Sequence, residues 1–140
     1  PRILAGAEAS AMSDVANLSA MARLPEMFSA MEPAGEVDVD GSKASCIKLT
    51  WKSGRVTTEC FSQTTGLLVE SRAKQMTQMG EIESVSRLSD YRDVAGIMVP
   101  HKTVQSAMGM QQIITTQSVT FGPVDAKLFE LPPEVRALRP

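Results

Sequence analysis

The stretch ASCIKLTWKSGRVTTECFS, residues 44–62, decides the fold because it contains two strand-like segments around one glycine turn. Ile47, Leu49 and Trp51 alternate with polar residues, which is the pattern of a half-buried strand. Ser53-Gly54 follows directly, and a Ser-Gly pair between two such segments is typical of a hairpin turn. We therefore predict an antiparallel β-hairpin here.

The hairpin allows two registers. A two-residue turn sets Ile47 opposite Cys60, collects the large apolar side chains on one face, and leaves Cys46 and Cys60 on opposite faces as free thiols. A three-residue turn with a bulge at Gly54 shifts the pairing by one residue and sets the two cysteines opposite each other, where they can form a disulfide. The first register is favoured because it places all the large apolar side chains on one face, and the second stays open as the alternative.

Glycine turns of the same kind recur along the chain. They fall every 12–16 residues, at Asp40-Gly41, Ser53-Gly54, Thr65-Gly66, Met79-Gly80, Ala95-Gly96 and Met108-Gly109. Between and around them we predict strands at residues 37–40, 44–51, 55–61, 67–77, 81–93, 97–107 and 110–121. Such a series is typical of an antiparallel meander, and several segments are long enough to make a twisted, curled sheet.

The N-terminal region has a different periodicity. Apolar residues recur three and four apart over residues 13–23, which predicts an amphipathic helix whose apolar face includes Leu18 and Met21. Pro25 suits the first turn of a second helix over residues 25–31, which contains Met27, and residues 32–35 should end helical structure. The predicted fold class is α+β: a curled antiparallel meander, or half-barrel, covered on its concave face by N-terminal helices. The single domain divides into a helical lid at residues 1–33, the meander at 34–132 and a tail at 133–140.

Composition narrows the function. The chain has 140 residues and a net charge of −2 with both signs interspersed, which argues against a nucleic-acid partner. The sequence contains no apolar run of the roughly 18 residues that a transmembrane helix needs. One histidine and two cysteines, without a recognisable motif, predict no catalytic residue, no metal site and no cofactor. We therefore do not expect an enzyme.

Several segments carry a resemblance to a known family. Residues 46–49, 53–54, 60–69, 79–82, 90–101 and 129–132, in this order and spacing, resemble a signature of bacterial exported proteins related to the outer-membrane lipoprotein-sorting (LolA/LolB-like) superfamily. The sequence departs from the usual pattern at Cys60, where an aromatic residue is common, and at Ser62, where aspartate is common. The resemblance implies the C-terminal half of a longer, periplasmic or otherwise exported protein, whose signal peptide is absent from this chain.

The same resemblance implies a function. Carriers of this class hold acyl chains between sheet and helices, so we expect non-enzymatic binding of a lipid or another hydrophobic small molecule in the cell envelope. The nine methionines suit an adaptable apolar lining. The expected ligand-binding residues are Trp51, Ile47, Leu49 and Val56 on the sheet and Leu18, Met21 and Met27 on the helices. The alternative is an interaction module that pairs through a sheet edge, with its first strand exposed, to another envelope protein, to the missing N-terminal half or to itself as a homodimer.

Overall fold

The computed structural model describes residues 24–77 and 80–136 and the isolated positions 6 and 9. The predicted helix over residues 13–23, with Leu18 and Met21, lies outside the described residues. The described elements are α1 (Leu24–Met27), β1 (Phe28–Val39), β2 (Ser42–Trp51), β3 (Val56–Ser62), β4 (Leu68–Thr77), β5 (Gly80–Val94), β6 (Ile97–Ala107), β7 (Met110–Thr115), a 3₁₀ turn (Ala126–Phe129) and α2 (Pro133–Arg136).

The seven strands form one antiparallel sheet in sequence order from β1 to β7. This confirms the predicted meander, because every strand pairs with its neighbour in the chain. The sheet is open, with β1 and β7 at its two edges. Among the described residues, no helix has the length and apolarity needed to cross a bilayer.

The first strand begins earlier than the sequence pattern indicates. The prediction of a helix over residues 25–31 is wrong, because α1 ends at Met27 and Phe28 already pairs with Trp51. Pro33 and Gly35 do not end the element; they lie within β1, at a shift in its register between Pro33 and Glu36. An edge strand tolerates proline because its outer N–H has no partner to lose. The meander therefore begins at Phe28 and not at residue 34.

The last strand is shorter than expected. Alternating β-prone residues continue to Phe121 in the sequence, but β7 ends at Thr115. Thr116 N still donates to the His101 carbonyl at 2.8 Å, and no described residue beyond it bonds to β6. A segment with a strand-like sequence pattern forms a strand only where a neighbouring strand is available to pair with it.

The turns explain how the central hairpin is paired. At Ala95-Gly96 and Met108-Gly109 both residues have positive φ, as two-residue hairpin turns require. At Ser53-Gly54 only Gly54 does, with φ +87, and Trp51 N donates to the Arg55 carbonyl at 2.8 Å across a three-residue loop. The register with Ile47 opposite Cys60 is therefore wrong.

The shifted register sets Cys46 opposite Cys60, and the two form a disulfide. Counting from the hydrogen-bonded pair Trp51 and Arg55, this is a non-hydrogen-bonded pair, where side chains of antiparallel strands approach most closely. The expectation of two free thiols is wrong as well. The disulfide lies in the main buried cluster, which contains Val39, Ala44, Cys46 and Cys60 with Val37 and Val69 packed against them.

Candidate functional site

The register sorts the side chains of the sheet onto two faces, since directly opposite residues point to one side and chain neighbours to opposite sides. We call the side that carries Trp51 the Trp51 face, and the side that carries Cys46 and Cys60 the disulfide face. One row of paired positions crosses the Trp51 face from β1 to β7: Met31, Leu49, Thr57, Ala73, Ser84, Ala107 and Met110. The adjacent row contains Pro33, Ile47, Glu59, Ser71, Ser86, Gln105 and Gln112.

An aromatic corner occupies one end of the Trp51 face. The rings of Phe28 and Trp51 meet edge to face with centroids 4.6 Å apart. Trp51 Nε1 donates to Thr57 Oγ1 at 3.1 Å. The Arg55 guanidinium lies over the indole, 5.1 Å from the ring centroid, in a cation–π arrangement. These three contacts hold the indole in one orientation while part of its surface stays exposed.

Two polar groups on the same face are incompletely paired. Ser71 Oγ donates to Glu59 Oε1 at 3.1 Å. Within the described part of the chain, Glu59 Oε2 and Arg55 Nε are buried and have no hydrogen-bond partner. Burial raises the pKa of Glu59, although hydrogen bonds from Ser71 and Thr57 and the charge of Arg55 act in the opposite direction. A buried donor and a buried acceptor without partners are costly unless a further group satisfies them.

Small side chains cover the middle of the Trp51 face. In the first row, Thr57, Ala73, Ser84 and Ala107 occupy four consecutive strands between the larger Leu49 and Met110. A shallow groove of about 400 Å³ lies toward β7 and is lined by Ser84, Ser86, Gln105, Ser106, Ala107, Met110, Gln111 and Gln112. Small residues flanked by larger ones leave a depression in which an elongated molecule can lie.

The disulfide face has a different chemistry. Glu70, which is 1% exposed, is opposite Cys60 in β3 and opposite Arg87 in β5. Arg72 Nε donates to one carboxylate oxygen at 2.7 Å and Arg87 Nε to the other at 3.0 Å. Burial alone would raise the pKa of Glu70, but the hydrogen bonds from Arg87 and Arg72 outweigh it and hold the pKa below its ordinary value. Both oxygens of this buried carboxylate are therefore paired within the protein.

The predicted sheet residues are only partly brought together. Ile47, Leu49 and Trp51 share the Trp51 face, as expected from their alternation. Val56 is opposite Thr50, not Trp51, and therefore lies on the disulfide face; its placement with the others is wrong because it depended on the two-residue turn. Met27 ends α1, and its carbonyl accepts a hydrogen bond from Lys52 N at 3.0 Å.

The sequence reasoning missed Arg55, Thr57 and Glu59. All three belong to the Trp51 face only in the three-residue-turn register, so the signal that would have found them is the choice of register. The other notable polar residue, His101, is buried, and its Nδ1 donates to the Val99 carbonyl at 3.0 Å. This is the structural role that its position in a strand favours.

No metal centre appears in the described ranges, where no three His, Cys, Asp or Glu side chains gather. Comparison with known proteins adds no relative: the chain matches no protein-family model, no curated protein and no solved structure. What the fold and the site define is an open antiparallel sheet with an ion-paired disulfide face and a Trp51 face that carries an aromatic corner and a central row of small uncharged side chains.

Proposed function

We propose that the protein binds a lipid or a similar amphipathic molecule on the Trp51 face and does so without catalysing a reaction. The observation that carries the proposal is the row of small side chains that runs from the aromatic corner across the sheet. We call the row formed by Ala73, Ser84 and Ala107 the floor of the site. An apolar chain lying along this floor contacts no charged side chain of the row. Removing such a chain from water is favourable in proportion to the apolar area covered.

The polar pair at the aromatic corner suits the headgroup of such a ligand. Arg55 Nε is a free donor and Glu59 Oε2 a free acceptor within the described part of the chain. A phosphoethanolamine headgroup has a phosphate for the guanidinium and an ammonium for the carboxylate, and charge-assisted hydrogen bonds of this kind are strong. Satisfying both buried groups favours the bound state over the free one.

The disulfide supports an oxidising compartment. Disulfides persist in secreted and periplasmic proteins and are rare in the cytosol. Together with the resemblance to exported lipoprotein-sorting proteins, this favours a location in the bacterial cell envelope and a role in the manner of a lipid carrier.

A titration with lauroyl lysophosphatidylethanolamine tests the proposal, because Trp51 is the only tryptophan of the chain. We expect a saturable blue shift of its fluorescence on binding. Ser84→Asp places a carboxylate on the floor and should weaken binding at least about tenfold. Val85→Asp is the matched control, since Val85 is the next residue in β5 and lies on the disulfide face opposite Arg72.

Two results would overturn the proposal. The first is a combination of two negative findings: the Trp51 fluorescence does not respond to the lysolipid, and mass spectrometry finds no lipid in an organic extract of the purified protein. The other is equal weakening by Ser84→Asp and Val85→Asp while circular dichroism shows both variants folded.

A further inference from the structure

The two edges of the sheet differ in how well they are protected against pairing with another strand. The β1 edge carries Pro33, a register shift, and the acidic residues Glu32, Glu36 and Asp38. Proline, irregularity and charge are the usual means of blocking edge-to-edge association. β7 has a regular register along its whole length, and all six of its residues are exposed. The chain has no charged residue from position 103 to position 124.

The open main-chain groups of β7 can be assigned from its pairing with β6. Thr116 N donates inward to His101, and in an antiparallel ladder residues bond to a given neighbour at alternate positions. Met110, Gln112 and Ile114 therefore bond to β6. The N–H and C=O groups of Gln111, Ile113 and Thr115 point away from the sheet, and among the described residues no strand pairs with them.

We propose that β7 pairs antiparallel with β7 of a second copy of this chain, about a two-fold axis at Ile113. In this register Ile113 faces its own counterpart, and Gln111 faces Thr115 of the other copy. Gln111, Ile113 and Thr115 are the residues whose main-chain N–H and C=O groups point outward. In each facing pair, the N–H of each residue therefore donates to the C=O of the other. The two sheets join into one, with both Trp51 faces on the same side.

The distribution of charge favours pairing of β7 with β7 of a second copy over pairing that involves β1. Self-pairing of β7 brings no like charges together, because the strand is uncharged. Self-pairing of β1 would bring Glu32, Glu36 and Asp38 of two copies to one junction, which is unfavourable. Pairing of β1 with β7 is head to tail, and the irregular register of β1 interrupts it. The two-fold β7 pair is the closed arrangement that the described edges permit.

Exposed apolar side chains add to the main-chain bonds. Ile113 is 60% exposed and lies on the disulfide face, where self-pairing places it against its own counterpart. Ile114 is exposed on the Trp51 face and comes to lie opposite Gln112 of the other copy. One strand pair is a small interface, so we expect a dissociation constant on the order of micromolar.

Sedimentation velocity over a concentration series tests the inference. We expect the 15.1 kDa chain to sediment as a dimer at concentrations well above micromolar. Ile113→Lys sets two ammonium groups against each other across the axis and should give a monomer. Met31→Lys is the matched control on β1, where Met31 is 56% exposed, and should leave the dimer intact.

Two further variants keep the test decisive. Ile113→Pro removes one outward N–H and none of the bonds to β6, so it should also give a monomer with unchanged circular dichroism. Ile113→Cys should cross-link to a covalent dimer with a short bismaleimide, which spans the wider spacing of a hydrogen-bonded pair, whereas Met31→Cys should not. A wild-type monomer at high concentration, a dimer that persists in Ile113→Pro, or a dimer in which Ile113→Cys does not cross-link would each overturn the inference.

Discussion

Glu59 and Glu70 are the same residue type on neighbouring strands, yet they differ in their hydrogen-bond partners and in the direction of their pKa shifts. On the disulfide face, two arginines pair both oxygens of Glu70 and lower its pKa. On the Trp51 face, one oxygen of Glu59 is buried without a partner in the described chain, and burial raises its pKa. Structural ion pairs and binding sites both perturb pKa values, and the unpaired atom is the reason we assign Glu59, and not Glu70, to the proposed binding site.

The difference extends beyond the two glutamates. The disulfide face has its own covalent link and a small buried cluster around it. The Trp51 face carries a row of small side chains and a half-buried Trp51. One face is thus stabilised by contacts within the chain, whereas the other is the face to which we assign the proposed ligand.

The largest effect should come from the disulfide. Its cysteines are 14 positions apart in the chain and close a short loop, so replacing both by alanine should lower the free energy of unfolding by about 3 kcal/mol. Urea denaturation followed by circular dichroism measures this loss. Wild-type protein with its disulfide reduced should match the double variant, and a loss below about 1 kcal/mol would contradict the role given to this face.

Glu70→Gln should have the next largest effect, a loss of about 2 kcal/mol at pH 7, because two buried charge-assisted hydrogen bonds are weakened. The folded-state pKa of Glu70 lies below the ordinary 4.5, so its contribution is complete above pH 4.5 and disappears as the pH falls through the folded-state pKa. Denaturation curves of wild type and variant should therefore converge in acid. Glu32→Gln, which removes an exposed pair with Lys48, is the control and should cost less than about 0.5 kcal/mol.

Glu59→Gln should have the smallest effect on stability at pH 7 and the opposite pH dependence. Because the folded-state pKa of Glu59 lies above the ordinary 4.5, the contribution of this group is complete below pH 4.5 and is lost as the pH rises through the folded-state pKa. The variant should match or exceed wild-type stability at neutral pH. If Glu59→Gln were as destabilising as Glu70→Gln, the contrast between the two faces would not hold.

The meander was predictable from the sequence, because turn signals with glycine recur every 12–16 residues from Asp40-Gly41 to Met108-Gly109, although Gly80 is already the first residue of β5. The register of the central hairpin was not. A turn at Ser53-Gly54 fits loops of two or three residues, and counting large apolar side chains favoured the wrong one. The observed three-residue loop gives the other register, in which Cys46 is opposite Cys60.

The candidate site was predictable to the same extent. That Ile47, Leu49 and Trp51 share one face follows from the alternation of side chains along a single strand, which does not depend on the register with the neighbouring strand. Arg55, Thr57 and Glu59 join them only in the observed register. The floor depends on pairings across five strand boundaries, from Leu49 to Met110, and no local pattern encodes those.

Intermolecular nuclear Overhauser effects between a bound lysolipid and alanine methyl groups distinguish the two faces. Ala73 and Ala107 lie on the Trp51 face, and Ala30, which is opposite Thr50, is exposed on the disulfide face. We expect contacts from the acyl chain to the methyl groups of Ala73 and Ala107 and none to that of Ala30. Contacts to Ala30 with none to Ala73 and Ala107 would contradict binding on the Trp51 face.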